Sequence, residues 1–151
     1  MSTMSTTTSH QTDALHPLVA GTTGAAIFAV AMIGGDLFDL NAGEGPPTSA
    51  WEIAAYVGFV GAALLLSLWL GVRARAGSPE KLSRTALGLA IASAVTVVIF
   101  WSGWPLVFGA VAMALALEHR RRVGSFSAMT ASALVLGAVA LVVSAFICVT
   151  G

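Results

Sequence analysis

Trp101-Ser102-Gly103-Trp104-Pro105 interrupts an apolar run of 35 residues, Arg84 to Glu118, and whether the chain turns there decides the fold. A helix rises about 1.5 Å per residue, and a hydrocarbon core of about 30 Å takes roughly 20 residues. The run is therefore long for one span and short for two. Two indoles, which favour the headgroup level, flank a glycine. Pro105 is tolerated in the first turn of a helix and breaks a helix interior. A turn at Ser102-Gly103 follows, between short spans at 84–101 and 104–119.

Three further apolar regions, 17–38, 51–72 and 127–149, are each one span by the same arithmetic. Charge placement tests the count independently. All seven Lys and Arg fall in two stretches, Arg73, Arg75, Lys81 and Arg84, then Arg120, Arg121 and Arg122. The positive-inside rule puts both in the cytoplasm, so an even number of crossings must separate them. The expected fold is an all-α membrane protein, a bundle of five transmembrane helices with a cytoplasmic N-terminus and the C-terminus outside. Its transmembrane domain covers 17–151. Residues 1–16, rich in Ser and Thr and without a base, read as a disordered cytoplasmic tail rather than a signal peptide.

Composition agrees. Hydrophobic residues make up 57% of the 151, charged ones 9%, and mean hydropathy is +0.89. A soluble domain carries about 25% charged residues, so the solvent this surface is built for is lipid. Abundant Ala, Gly and Val, with Arg in preference to Lys, fit a multi-pass protein of the bacterial plasma membrane. Zero net charge leaves no basic field for nucleic acid. The single cysteine, Cys148, excludes an internal disulfide.

Local signals punctuate the helices. Ser49 and Glu52 have capping-box spacing; Ser78-Pro79-Glu80 reads as an N-cap, an N1 proline and a first-turn acid. Gly124 suits the position after the fourth helix, and Ser125 or Ser127 can cap the fifth. Small residues recur at four-residue spacing: Gly21/Ala25, Ala54/Gly58/Ala62, Gly88/Ala92, Ala112/Ala116 and Ala133/Gly137. They are expected to serve close packing within the bundle.

Chemistry-bearing residues are sparse. Ionisable groups inside a span mark proton and ion pathways, and the central turns offer hydroxyls instead. Ser93 and Thr96 share a face at i, i+3, and with Ser144 they form a candidate polar path. Hydroxyls at such positions usually bond a carbonyl one turn back. His10, His16 and His119 lie at the wrong depth to hold a membrane haem. Glu118 with Arg121 and Arg122 has the spacing of an exposed helical ion pair. Asp36 and Asp39, joined by Glu44 and Glu52, form an outer acidic cluster. Asp36 and Asp39 are the candidate site there, for a divalent cation or a cationic partner.

No phosphate-binding loop, metalloprotease helix or nucleophile elbow is present in the sequence. The reading is not an enzyme, with no catalytic residue, cofactor or resident metal. The leading function is an accessory or scaffold subunit, or a membrane-embedded binder. Its partners are the bilayer, with anionic lipid at the inner face, and a membrane protein or further copies of itself. The alternative is a small oligomeric transporter or channel along the hydroxyl path.

Overall fold

In a computed structural model the chain is described at residues 16–38 and 49–150, and these are helical apart from short turns, with no strand among them. Five helices follow in order: α1 (Pro17–Leu37), α2 (Ala50–Arg75), α3 (Pro79–Thr96), α4 (Trp104–Val123) and α5 (Ala128–Thr150). A 3-10 segment, Val97–Ser102, joins α3 to α4. The tail before residue 16 and the 39–48 loop, with Asp39 and Glu44, lie outside the described residues.

The helix ends are built as their sequences dictate. Ser49 Oγ accepts from Glu52 N at 3.2 Å while the Glu52 carboxylate accepts from Ser49 N at 3.2 Å, a complete capping box. Ser78 Oγ accepts from Lys81 N at 3.3 Å ahead of Pro79 at N1. Ser127 Oγ accepts from Thr130 N at 3.2 Å at the start of α5.

The turn between α3 and α4 falls at Ser102-Gly103. Ile99 leaves helical geometry (φ −110°, ψ 44°). Ser102 Oγ then donates to Ile99 O at 2.7 Å and accepts from Trp104 N at 3.3 Å, satisfying backbone groups that the break releases. Gly103 adopts φ +72°, and Gly124 adopts φ +84° after α4. Their surroundings differ. A Cβ on Gly103 would lie 3.0 Å from Val60 Cγ2 and 3.1 Å from Phe28 Cδ1, whereas one on Gly124 would meet nothing within 4 Å. A left-handed backbone costs an L-residue about 1–2 kcal/mol. Gly124→Ala is expected to lose about that much, and Gly103→Ala measurably more because crowding adds to strain. Thermal unfolding of the two purified variants in detergent checks the order.

α4 is the hub. It packs against each of the other four helices, while α1 and α3 make no contact with each other. Val107, Val111, Ala112, Leu115 and Ala116 on α4 are fully buried, against Ala63 and Ala74 of α2, Leu82, Ala86 and Ala90 of α3, and Ala133 of α5, while Leu106, also fully buried, packs in a second cluster with Phe28 and Ala31 of α1 and Cys148 of α5. Small residues set the separations. Gly24 of α1 meets the α4 backbone, its ideal Cβ falling 2.5 Å from Leu106 O. Gly109 of α4 and Gly137 of α5 face each other less tightly, an ideal Cβ on either falling 2.9 or 3.1 Å from the other's carbonyl oxygen.

The outside is apolar. Val30, Leu65, Trp51, Val142 and Phe146 are each more than 60% exposed, the reverse of a water-soluble bundle. Four helical stretches are long and apolar enough to cross a membrane: Pro17–Gly35, Ala50–Arg75, Pro79–Ile99 and Ala128–Thr150. This is the make-up of a multi-pass membrane protein. α4 stands apart, with fourteen apolar residues, Trp104 to Leu117, before Glu118 and the arginines.

α4 also begins part-way along its neighbours. The Trp104 indole donates to Phe59 O at 2.9 Å, and Gly103 is level with Phe28 and Val60. The ten residues Ala50–Phe59 of α2 thus run about 15 Å beyond the start of α4. The Trp104 indole is thereby tied to α2, and its ring lies beside Phe108 at 5.4 Å. Trp101, more exposed, sits edge-on to Phe59 and Tyr56.

Candidate functional site

The basic residues gather at one end of the bundle, where the C-termini of α2 and α4 meet the N-terminus of α3. Glu118, expected in an exposed ion pair, is 8% exposed there. The difference comes from α2, which brings Arg75 over it. Arg122 Nε donates to Glu118 Oε1 at 3.0 Å, and Arg75 and Arg121 each approach the carboxylate at 3.9 Å. Arg122 NH1 also donates to Arg75 O at 2.9 Å, locking the end of α2 to the end of α4. Three guanidiniums therefore surround one carboxylate. On the flanks, Arg73 lies over the Trp69 ring and Arg120 over Phe126. Glu80 and Arg84 pair at 2.6 Å, both largely exposed.

Arg75 was not singled out from the sequence. Helical spacing finds Arg121 and Arg122 from Glu118 but says nothing across helices. The usable signal was the charge rule, which puts 73–84 and 120–122 on one side. His119, expected at an interface, is buried, and its Nδ1 has no hydrogen-bond partner among the described residues.

The three hydroxyls of the candidate path have separate surroundings. Ser93 is fully buried and donates to Pro105 O at 2.7 Å, beside the Gly109–Gly137 crossing. Thr96 donates to Ala92 O at 2.8 Å within its own helix. Ser144 is fully buried, and its Oγ has no hydrogen-bond partner among the described residues. No hydrogen bond joins any two of the three. Of the acidic pair, Asp36 lies in the last turn of α1, and Asp39 is outside the described residues. Among the described residues no group of three His, Cys, Asp or Glu could hold a metal ion.

Two apolar features remain. An open groove of about 560 Å³ is lined by Thr23, Ile27, Val30, Gly34 and Phe38 of α1 and Val149 of α5. On α2, Ala54, Gly58 and Ala62 are exposed, and a Cβ on Gly58 or Gly61 would meet nothing within 4 Å. These α2 residues were expected to pack inside the bundle. They point away from it because Ala63, Ser67, Gly71 and Ala74, on another face, make the contacts. Comparison of the chain with protein-family models, curated proteins and solved structures finds no match.

Proposed function

We propose that this chain is a five-span protein of the bacterial plasma membrane, with its N-terminus cytoplasmic and its C-terminus outside. Its role is that of a non-enzymatic accessory or scaffold subunit that binds another membrane protein or further copies of itself. The basic end is the cytoplasmic one. α4 makes the fifth crossing in spite of its short apolar stretch, because it is surrounded by the other four helices and touches little lipid.

The observation that carries the binding role is the unused face of α2. Of its most apolar stretch 11% is buried, against 28–33% for the other three long apolar helices. That face presents Ala54, Gly58 and Ala62, small residues that let a second helix approach closely. The acidic 39–50 and basic 73–84 segments, before and after α2 in the sequence, are the proposed source of polar contacts.

Brief cross-linking in native membranes, followed by purification in mild detergent, tests this reading. A stoichiometric companion or a defined oligomer is expected. Gly58→Leu, which adds bulk where the chain itself has none, should release it and leave the melting temperature within a few degrees. A wild-type protein that purifies as a lone monomer would overturn the proposal. Transport along the hydroxyls is the second reading, favoured by the buried Ser144 Oγ that lacks a partner. Flux in vesicles that falls on Ser144→Ala would decide for it.

A further inference from the structure

The chain enters the bundle against the two helices that carry the Glu118 cluster. Pro17, the first residue of α1, is fully buried. A Cβ on Gly71 of α2 would lie 2.7 Å from Pro17 Cγ and 3.6 Å from Val111 Cγ1, so α1, α2 and α4 meet there. Arg75 follows Gly71 by four residues and Glu118 follows Val111 by seven, spacings that keep to one face of a helix. Those faces lead from Pro17 to the basic end, where Arg75 and Glu118 stand 3.9 Å apart. His16 caps α1, its Nδ1 accepting from Leu18 N at 3.2 Å and its carbonyl from Ala20 N at 3.0 Å. The residues ahead of it therefore leave α1 beside the cluster. Arg75 has donors to spare there. Among the described residues its guanidinium makes that one ion pair and donates no hydrogen bond. Its side chain is 20% exposed, and buried donors without an acceptor are costly.

We infer that Asp13 docks on Arg75, so that the protein's own N-terminal tail is the occupant of the open side of the cluster. Asp13 is the only Asp, Glu, Lys or Arg before Asp36. It precedes Pro17 by four residues, a reach of up to about 14 Å. Arg75 lies about 6 Å along α2 from Gly71, the residue that Pro17 touches. The chain covers that distance with slack. A carboxylate fits the guanidinium fork through two parallel, charge-assisted hydrogen bonds. Arg121 and Arg122 stand against Glu118 and offset its repulsion of a second acid. The pairing needs no particular orientation of the bundle in a membrane, and it goes beyond the binding role of α2. Docked, the tail ties α1 by charge to the joint of α2 and α4 that Pro17 holds by packing.

Full-length protein in detergent is treated with an endoproteinase that cuts before aspartate, and the cut between Thr12 and Asp13 is timed by mass spectrometry. The wild type is expected to be cut about two- to fivefold more slowly than Arg75→Gln, the protection that a partly exposed ion pair supplies. Salt at about 1 M, where the Debye length is about 3 Å, should remove most of the difference. Arg84→Gln, a base of the same end outside the cluster, should keep the wild-type rate. Equal rates for the wild type and Arg75→Gln overturn the docking. So does an equal acceleration by Arg84→Gln, which means diffuse attraction. Carbodiimide coupling, which joins a carboxylate to an amine with loss of water, separates docking from a general loosening of the cluster. In Arg75→Lys, peptide mapping should find Asp13 joined to position 75 more often than to Lys81, the one natural lysine. Asp13 joined to Lys81 as often, or position 75 joined to Glu118 alone, overturns the proposal. This second variant keeps the charge and serves where Arg75→Gln is not recovered folded.

Discussion

Gly24→Ala is expected to cost about 3 kcal/mol or more, the upper part of the range for overpacking, and to leave little folded protein in detergent. The added methyl would fall 2.5 Å from Leu106 O and 2.9 Å from Val107 Cα. Both atoms belong to helix backbone, so no side-chain rotation relieves the contact, and α1 must move off α4. Since α4 is the helix that every other helix touches, the displacement spreads through the bundle. Gly58→Ala makes the same chemical change on α2 in open space, and exchanging Gly for Ala in a helix gains about 0.5–1 kcal/mol. Its melting temperature should be unchanged or higher. Thermal unfolding of both variants in one detergent reads the difference directly. Equal behaviour would mean that α1 does not pack on α4 as described.

Glu118→Ala is the second large effect. Removing one partner from a buried ion pair costs about 3–5 kcal/mol where both charges are dry. Here the arginines keep 20–36% of their exposure, and water screens part of the loss. A loss of about 2–3 kcal/mol is expected, below that dry-pair range. It combines the broken tie between α2 and α4 with repulsion among Arg75, Arg121 and Arg122. Raising the salt should restore part of it, since repulsion between exposed charges is screened. Denaturation at low and high salt separates the two components. A loss under about 1 kcal/mol, the size of an exposed pair, would mean that Glu118 is not enclosed.

The helices and their ends are legible in the sequence because the signals are local. The Ser49/Glu52 box, Ser78-Pro79 and Gly124 each act within one turn, and so does the break at Ser102-Gly103. What joins different helices is not legible in the same way. Ala54/Gly58/Ala62 and Ala112/Ala116 have the same spacing, yet one faces outward and the other is fully buried. Which stripe is covered depends on where α4 lies, and periodicity along one helix carries no information about that. Glu118 repeats the point, since i+3 and i+4 arithmetic finds its own-helix arginines and misses Arg75. Thr96 bonds a carbonyl one turn back, as hydroxyls in helices usually do, whereas Ser144 Oγ has no partner among the described residues. Ser93 bonds across the α3–α4 turn instead of one turn back, because that break brings Pro105 O within reach.

The position of α4 also governs the order in which the bundle can come together during synthesis. α1 and α3 do not touch, so the first three helices leave the translocation machinery with no common centre. The fourth segment supplies that centre, yet it is the one least able to partition into lipid alone. Its fourteen apolar residues follow α3 after the 3-10 segment Val97–Ser102 and Gly103, so the two helices can come together as a hairpin whose tip carries Gly103. Until that hairpin arrives, α2 alone links α1 and α3, and a nascent chain stalled before Trp104 lacks the helix around which the bundle closes.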